Sequence, residues 1–152
     1  MNTKILEKEQ LAAIAELERL CFHKPWSEDA LTLLTREGNF GVVSLDHGEV
    51  CAYVGLVTAL DEGEITNVAT HPDHRRQGHA KAVLLRLFDE AEKCGIRRIT
   101  LEVRESNAAA RALYALLGFT PCGTRKGFYT SPREDALILE KMIDSRERKG
   151  AF

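Results

Sequence analysis

The chain has 152 residues, 44% hydrophobic and 29% charged, with 21 Lys and Arg against 23 Asp and Glu for a formal charge of −2. That length suits one domain with a real core, and the even charge balance argues against a general binder of nucleic acid or of membrane surfaces. The start, MNTKILEKEQ, lacks the apolar run of a secretory signal, and no stretch nears the roughly 20 apolar residues that cross a bilayer, so the expected location is the cytoplasm.

Leu11, Ile14, Ala15, Leu17 and Cys21 recur at helical spacing and predict an amphipathic helix over about residues 8–22. Pro25 breaks the chain, Ser27 caps a second short helix, and Gly38 ends it. From Asn39 the period becomes that of strands. Phe40–Leu45 and Val50–Val57 flank Asp46-His47-Gly48 as a hairpin, and a second turn at Asp61-Glu62-Gly63 leads into a third strand, Glu64–Thr70. A long helix follows, with Ala80, Val83, Leu84, Leu87, Phe88 and Ala91 on one face and Gly95 as its stop. Ile96–Val103 is the next strand, Ser106 or Asn107 caps an Ala-rich helix ending at Gly118, and two more strands lie in Phe119–Met142. This order predicts an α/β domain with a mixed sheet over residues 1–143, followed by a charged, frayed tail over 144–152.

Cys21, Cys51, Cys94 and Cys122 are far apart and form no C-x-x-C pair, so they read as small buried hydrophobes and not as a disulfide framework or zinc site. The turn from Val68 to Ala80 is more informative. A strand ends at Pro72, Arg75 and Arg76 follow, and Gly78 opens the long helix, whose first N–H groups have no partner within the helix. Such an end suits a phosphate or pyrophosphate, and glycine lets the backbone approach it closely. The patterns of a P-loop and of a Rossmann dinucleotide site are both absent. His71 and His74, with Pro72 between them and no clear third ligand, read as a polar turn, so no metal is expected.

Three further residues could carry chemistry. Glu102 lies on the strand face opposite Ile99, Leu101 and Val103. It is either half of an ion pair, with Arg104 or a neighbouring strand, or a general base whose pKa is raised by partial burial. Tyr114 is either a core aromatic or a proton donor. Asn107 is fully explained as a helix N-cap.

Together these residues resemble the GNAT family of N-acetyltransferases, which use acetyl-coenzyme A. The loop Arg75-Arg-Gln-Gly-His-Ala80 matches the family pattern at the start of a helix, with Ala in the last place. Within the family the chain is similar to the ribosomal-protein-alanine branch, in Pro25-Trp-Ser-Glu28, Asn67-Val-Ala-Thr70, Leu101-Glu-Val-Arg104, Ser106-Asn-Ala-Ala-Ala110, Leu113-Tyr114 and Arg133-Glu-Asp-Ala136. The likeness spans about residues 3–142.

That resemblance implies a GNAT fold, a mostly antiparallel sheet of six or seven strands with about four helices. It implies that Val68, Ala69 and Thr70 present backbone to the acetyl and pantetheine portion of acetyl-coenzyme A. Arg75, Arg76, Gln77, Gly78, His79 and Ala80 would hold its pyrophosphate and Asn107 its pantetheine arm. Glu102 becomes the general base and Tyr114 the general acid, while Trp26 and Tyr129 flank a peptide groove. The implied reaction acetylates the N-terminal amine of a protein, first a ribosomal protein beginning in Ala. The alternatives are a small amine or lysine side chain as acceptor, or a non-catalytic coenzyme A-binding module.

Overall fold

The computed structural model describes residues 2–143. The chain opens with a short strand, β1 (Asn2–Ile5), and passes through a 3₁₀ turn into helix α1 (Leu11–Cys21). Helix α2 (Glu28–Leu31) starts where Ser27 Oγ accepts from the Ala30 N–H at 3.0 Å and runs on as a 3₁₀ turn to Thr35. Strands β2 (Phe40–Asp46), β3 (Glu49–Ala59) and β4 (Glu62–Thr70) follow, then α3 (His79–Lys93), β5 (Arg98–Arg104), α4 (Ala108–Leu116), β6 (Thr120–Tyr129) and β7 (Glu134–Met142). They form one seven-stranded sheet in the order β1-β2-β3-β4-β5-β7-β6. All neighbours are antiparallel except β4 and β5, the pair that α3 connects. The tail expected over 144–152 lies outside the described residues.

The sheet buries both faces. Val42, Val54 and Leu56 meet the apolar stripe of α3 (Val83, Leu84, Leu87) and Tyr114 and Leu117 at α4. On the other face Val43, Tyr53 and Ala69 pack with Leu11, Ile14 and Leu17 of α1 and Leu31 and Leu34 after it. Alternate residues of β2 and β3 therefore serve two cores, which is why their sequence reads as nearly continuous apolar runs.

Two boundaries differ from the sequence reading. Strand β1 was not expected, because its four residues carry no clear alternation and its partner is Val42–Leu45, some 40 residues away. The turn into β4 lies at Leu60-Asp61, with Leu60 fully exposed at φ +57, and Gly63 belongs to the strand. Glycine is needed at 63 for space, since a Cβ there would lie 2.9 Å from Leu56 Cδ1. The cysteines also divide: Cys51 is buried and Cys21 half-buried, as small apolar groups would be, but Cys94 and Cys122 at the ends of elements are exposed.

The β3–β4 ladder contains a bulge. Val54 pairs with Val68 and Leu56 with Ile65, so Thr66 and Asn67 together face Gly55. A Cβ at Gly55 would come within 2.8 Å of Leu34 Cδ1 and would also crowd Thr66 Oγ1. Gly55→Ala should therefore lower stability by about 1–3 kcal/mol through overpacking, measured as a fall in the urea midpoint. An unchanged midpoint would show that the neighbours have room to give.

Candidate active site

Strands β4 and β5 pair at only three positions: Glu62 with Arg98, Gly63 with Ile99 and Glu64 with Thr100. Beyond them the bulge at Thr66 and Asn67 bends β4, as an extra residue in one strand does. The strands part and open a cleft holding two connected cavities of about 610 and 670 Å³. Thr66, Asn67, Glu102 and Tyr129 line both. Thr66 Oγ1 is buried there with no hydrogen-bond partner among the described residues.

The smaller cavity gathers much of the predicted donor site. Val68, Ala69, Thr70, Arg75, Ala80, Asn107 and Tyr114, scattered over 47 positions of sequence, all reach its wall. Gly78, at φ +86, is the N-cap of α3, and the first helical donor to return to the chain is Ala82, bonded to the Gly78 carbonyl at 3.0 Å. The N–H groups before it are those that helix geometry leaves for a ligand. Arg75, Arg76, Gln77 and Gly78 are exposed on the loop, and Arg76 is left-handed at φ +65. His79 differs from these. Its ring is buried with Nδ1 2.7 Å from Ser44 Oγ, and burial holds its pKa below the usual histidine range, so the ring points into the protein and not onto the loop surface.

Asn107 caps α4, its side-chain oxygen accepting from the Ala110 N–H at 3.2 Å, which leaves its NH₂ as the group free to meet a ligand. Tyr114 is buried edge-on to Phe119 at 5.7 Å. Burial, helped by Tyr129, pushes its pKa up to about 12, so the hydroxyl stays a proton donor at neutral pH.

The larger cavity lies on the far side of Glu102, and Trp26 and Tyr129, the two residues expected to flank a peptide groove, both line it. Glu102 does not pair with Arg104. Its Oε1 lies 3.1 Å from Arg125 Nε on β6, two strands away. Across β7 Arg125 is level with Ala136 and Glu102 with Ile138, so this ion pair runs diagonally over the strand between them. Arg104 is held elsewhere, 3.2 Å from Glu134 and stacked 4.4 Å from the Tyr129 ring centroid. Burial raises the Glu102 pKa, Arg125 opposes the shift, and Glu64 adds to it. The result is a carboxylate poised above its ordinary range at the junction of the two cavities.

Sequence reasoning missed Glu18, which is fully buried on α1. Its carboxylate accepts from Tyr53 Oη at 2.6 Å, from Asn67 Nδ2 at 3.0 and 3.1 Å, and from the Trp26 N–H at 2.9 Å. It thereby ties α1 to β3, to the β4 bulge and to the Trp26 loop. The signal was present: Glu18 lies seven residues after Leu11 and four after Ile14, on the helix's apolar face, where an unpartnered acid does not belong.

With the site described, its relatives can be placed. A model of the acetyltransferase (GNAT) family matches residues 11–119. The chain is 39% identical over 142 residues to a ribosomal protein bS18-alanine N-acetyltransferase of Escherichia coli, covering 91% of this chain and 96% of that one. It is 35% identical over 142 residues to the enzyme of the same name from Salmonella typhimurium, with the same coverages. A crystal structure of a ribosomal-protein-alanine N-acetyltransferase from Escherichia coli superimposes with a TM-score of 0.86 at 37% identity, over 94% of this chain and 95% of that one.

Glu18→Ala should cost about 3 kcal/mol or more, because it strands Tyr53 and Asn67 as buried polar groups. Urea unfolding measures it, and a loss below about 1 kcal/mol would mean that the carboxylate is not what joins these elements.

Proposed function

Because the chain belongs to the acetyltransferase (GNAT) family, we propose that it acetylates the N-terminal amine of a ribosomal protein that begins with Ala, the counterpart of bS18, using acetyl-coenzyme A. The observation that carries this reading is Glu102, a carboxylate of raised pKa shared by two cavities, with Tyr114 on the donor side of it. The high identity to enzymes named for bS18, over almost their whole length, favours that acceptor. An acceptor carried on the ribosome fits a cytoplasmic location, and no helix among the described residues is long and apolar enough to cross a membrane.

The smaller cavity suits acetyl-coenzyme A. Its mouth has the N-terminus of α3 beside Arg75, a setting for pyrophosphate, and Asn107 and the β4 edge line the path inward. Past Glu64 the backbone of Val68–Thr70 has no ladder partner on the β5 side; the Thr70 carbonyl accepts from Cys21 Sγ and Arg75 Nε, each at 3.4 Å, and the remaining backbone groups are left for polar groups of the donor, including the acetyl oxygen as charge develops on it.

The acceptor amine enters as an ammonium through the larger cavity, where Glu64 and Glu102 favour positive charge and Trp26 and Tyr129 provide apolar walls. Glu102, directly or through water, takes a proton from the ammonium. The freed nitrogen bonds to the acetyl carbon, the carbon–sulfur bond breaks, and the leaving sulfur takes the Tyr114 proton; the nitrogen's second proton passes through water to restore Tyr114, and the proton held by Glu102 goes to solvent. Reaction is direct, between donor and acceptor held together.

Glu102→Gln should lower kcat by about 10²–10⁴-fold with little change in the KM for acetyl-coenzyme A. An unchanged kcat removes Glu102 as the base. The acid limb of the kcat/KM profile reports the Glu102 pKa, with activity falling as pH drops through it. Arg125 depresses that pKa, so Arg125→Ala should move the limb to higher pH, and a limb that stays in place would sink the assignment. Mass spectrometry of Ala-initiated peptides and free amines incubated with acetyl-coenzyme A tests the acceptor. Acetylation of free amines alone would overturn the N-terminal reading, and no turnover on either would favour a coenzyme A-binding module.

A further inference from the structure

Beneath the anion loop lies a group of side chains that acetyl transfer does not use. One potential ligand atom from each of Cys51, His74 and His79 lies within 4.8 Å of the others. None of the three residues lines either of the two cavities. The sequence places them on three elements: β3, the 3₁₀ turn after β4, and the first residue of α3.

Each is positioned by a separate feature of the fold. In the β2–β3 ladder Ser44 pairs with Ala52 and Leu45 with Val50, so Cys51 is the extra residue of a bulge, the device that re-aims a side chain. Its thiol is fully buried. The His79 ring is fixed through Nδ1 by the buried Ser44 hydroxyl at 2.7 Å, which leaves Nε2 as the nitrogen free to bind. A metal-bound histidine is typically oriented in this way through its other nitrogen. His74 stands edge-on to His79, with ring centroids 5.8 Å apart, and its Nδ1 is buried with no hydrogen-bond partner. An orphaned imidazole nitrogen beside a buried thiol is a costly arrangement for a fold to keep without a ligand.

We propose that Cys51, His74 and His79 form a zinc site that staples the anion loop to β3. One thiolate and two imidazole nitrogens are the donor set of a borderline-soft divalent cation, and they leave the fourth position of a tetrahedral ion for water. Ligand atoms around tetrahedral zinc are about 3.5 Å apart, so the cluster must draw in by only about 1 Å. Binding replaces the Cys51 S–H proton, which goes to solvent, by the metal. His74 and His79 bracket the exposed residues 75–78. The cation therefore closes a loop around the segment that the proposed function gives to pyrophosphate, although metal binding itself does not depend on that reading.

The test uses the full chain, stripped of metal by a chelator and titrated with Co²⁺, whose bonds to thiolate absorb in the near ultraviolet. The working variant has Cys21, Cys94 and Cys122 all changed to Ser, leaving Cys51 as the lone thiol. It should develop the thiolate–cobalt band and tetrahedral visible bands at one equivalent, and Zn²⁺ should displace them. His74→Ala in that background should weaken Co²⁺ binding at least about tenfold. A folded variant without the thiolate band, or equal affinity after His74→Ala, overturns the site. Zn²⁺ should also slow amide hydrogen exchange across residues 71–79, and unchanged exchange there would overturn the stapling.

Discussion

The site exists because two neighbouring parallel strands stop pairing. A hydrogen-bonded sheet leaves no room between its strands, and an unpaired edge in the interior of a sheet is a liability unless something meets it. Here β4 and β5 separate after Glu64 and Thr100, and the exposed edge of β4 becomes part of a cleft wall. The two cavities can then meet within one sheet, with Glu102 on the β5 side of the gap and Thr66 and Asn67 on the other.

Holding such a gap open requires restraints on both strands. On β4 the restraint is polar: the bulge at Thr66 and Asn67 is anchored through Asn67 to Glu18, which also holds Tyr53 and the backbone of Trp26. On β5 it is the antiparallel ladder to β7, which runs through all seven residues from Arg98 to Arg104. β7 also lies between Glu102 and the cation that meets it, Arg125 on β6. Burial raises the pKa of the Glu102 carboxylate and the Arg125 charge limits the rise, so its proton affinity is set by two opposing effects. Tyr114 feels burial with no opposing cation, which keeps its hydroxyl protonated.

Most of the fold was legible because its elements are locally encoded. The apolar stripe of α3, the caps at Ser27 and Asn107 and the alternation in β5 all follow from spacing of residues along a short stretch. What escaped depends on distant partners. Strand β1 is stabilised by pairing with β2, and Gly63 reads as a turn glycine until Leu56 is seen against it. The site divides in the same way. The loop Arg75–Ala80 suggests an anion site from its order, whereas Glu102, Asn107 and Tyr114 each had an ordinary structural reading that only resemblance to a family outweighed.

The sequence by itself determined most of the elements and marked the Arg75–Ala80 turn and most of the candidate chemical residues, because helix and strand periods, caps and glycine signals act over a few neighbouring positions. The tertiary structure decided which of those residues meet. It paired Glu102 with Arg125 in place of Arg104, buried Glu18 as a hub, and turned the His79 ring toward Ser44 and Cys51. The physical reason is that burial, bulges and strand separation are properties of packed neighbours. They set both the pKa of a carboxylate and the direction of a side chain, and neither is written in the spacing of residues along the chain.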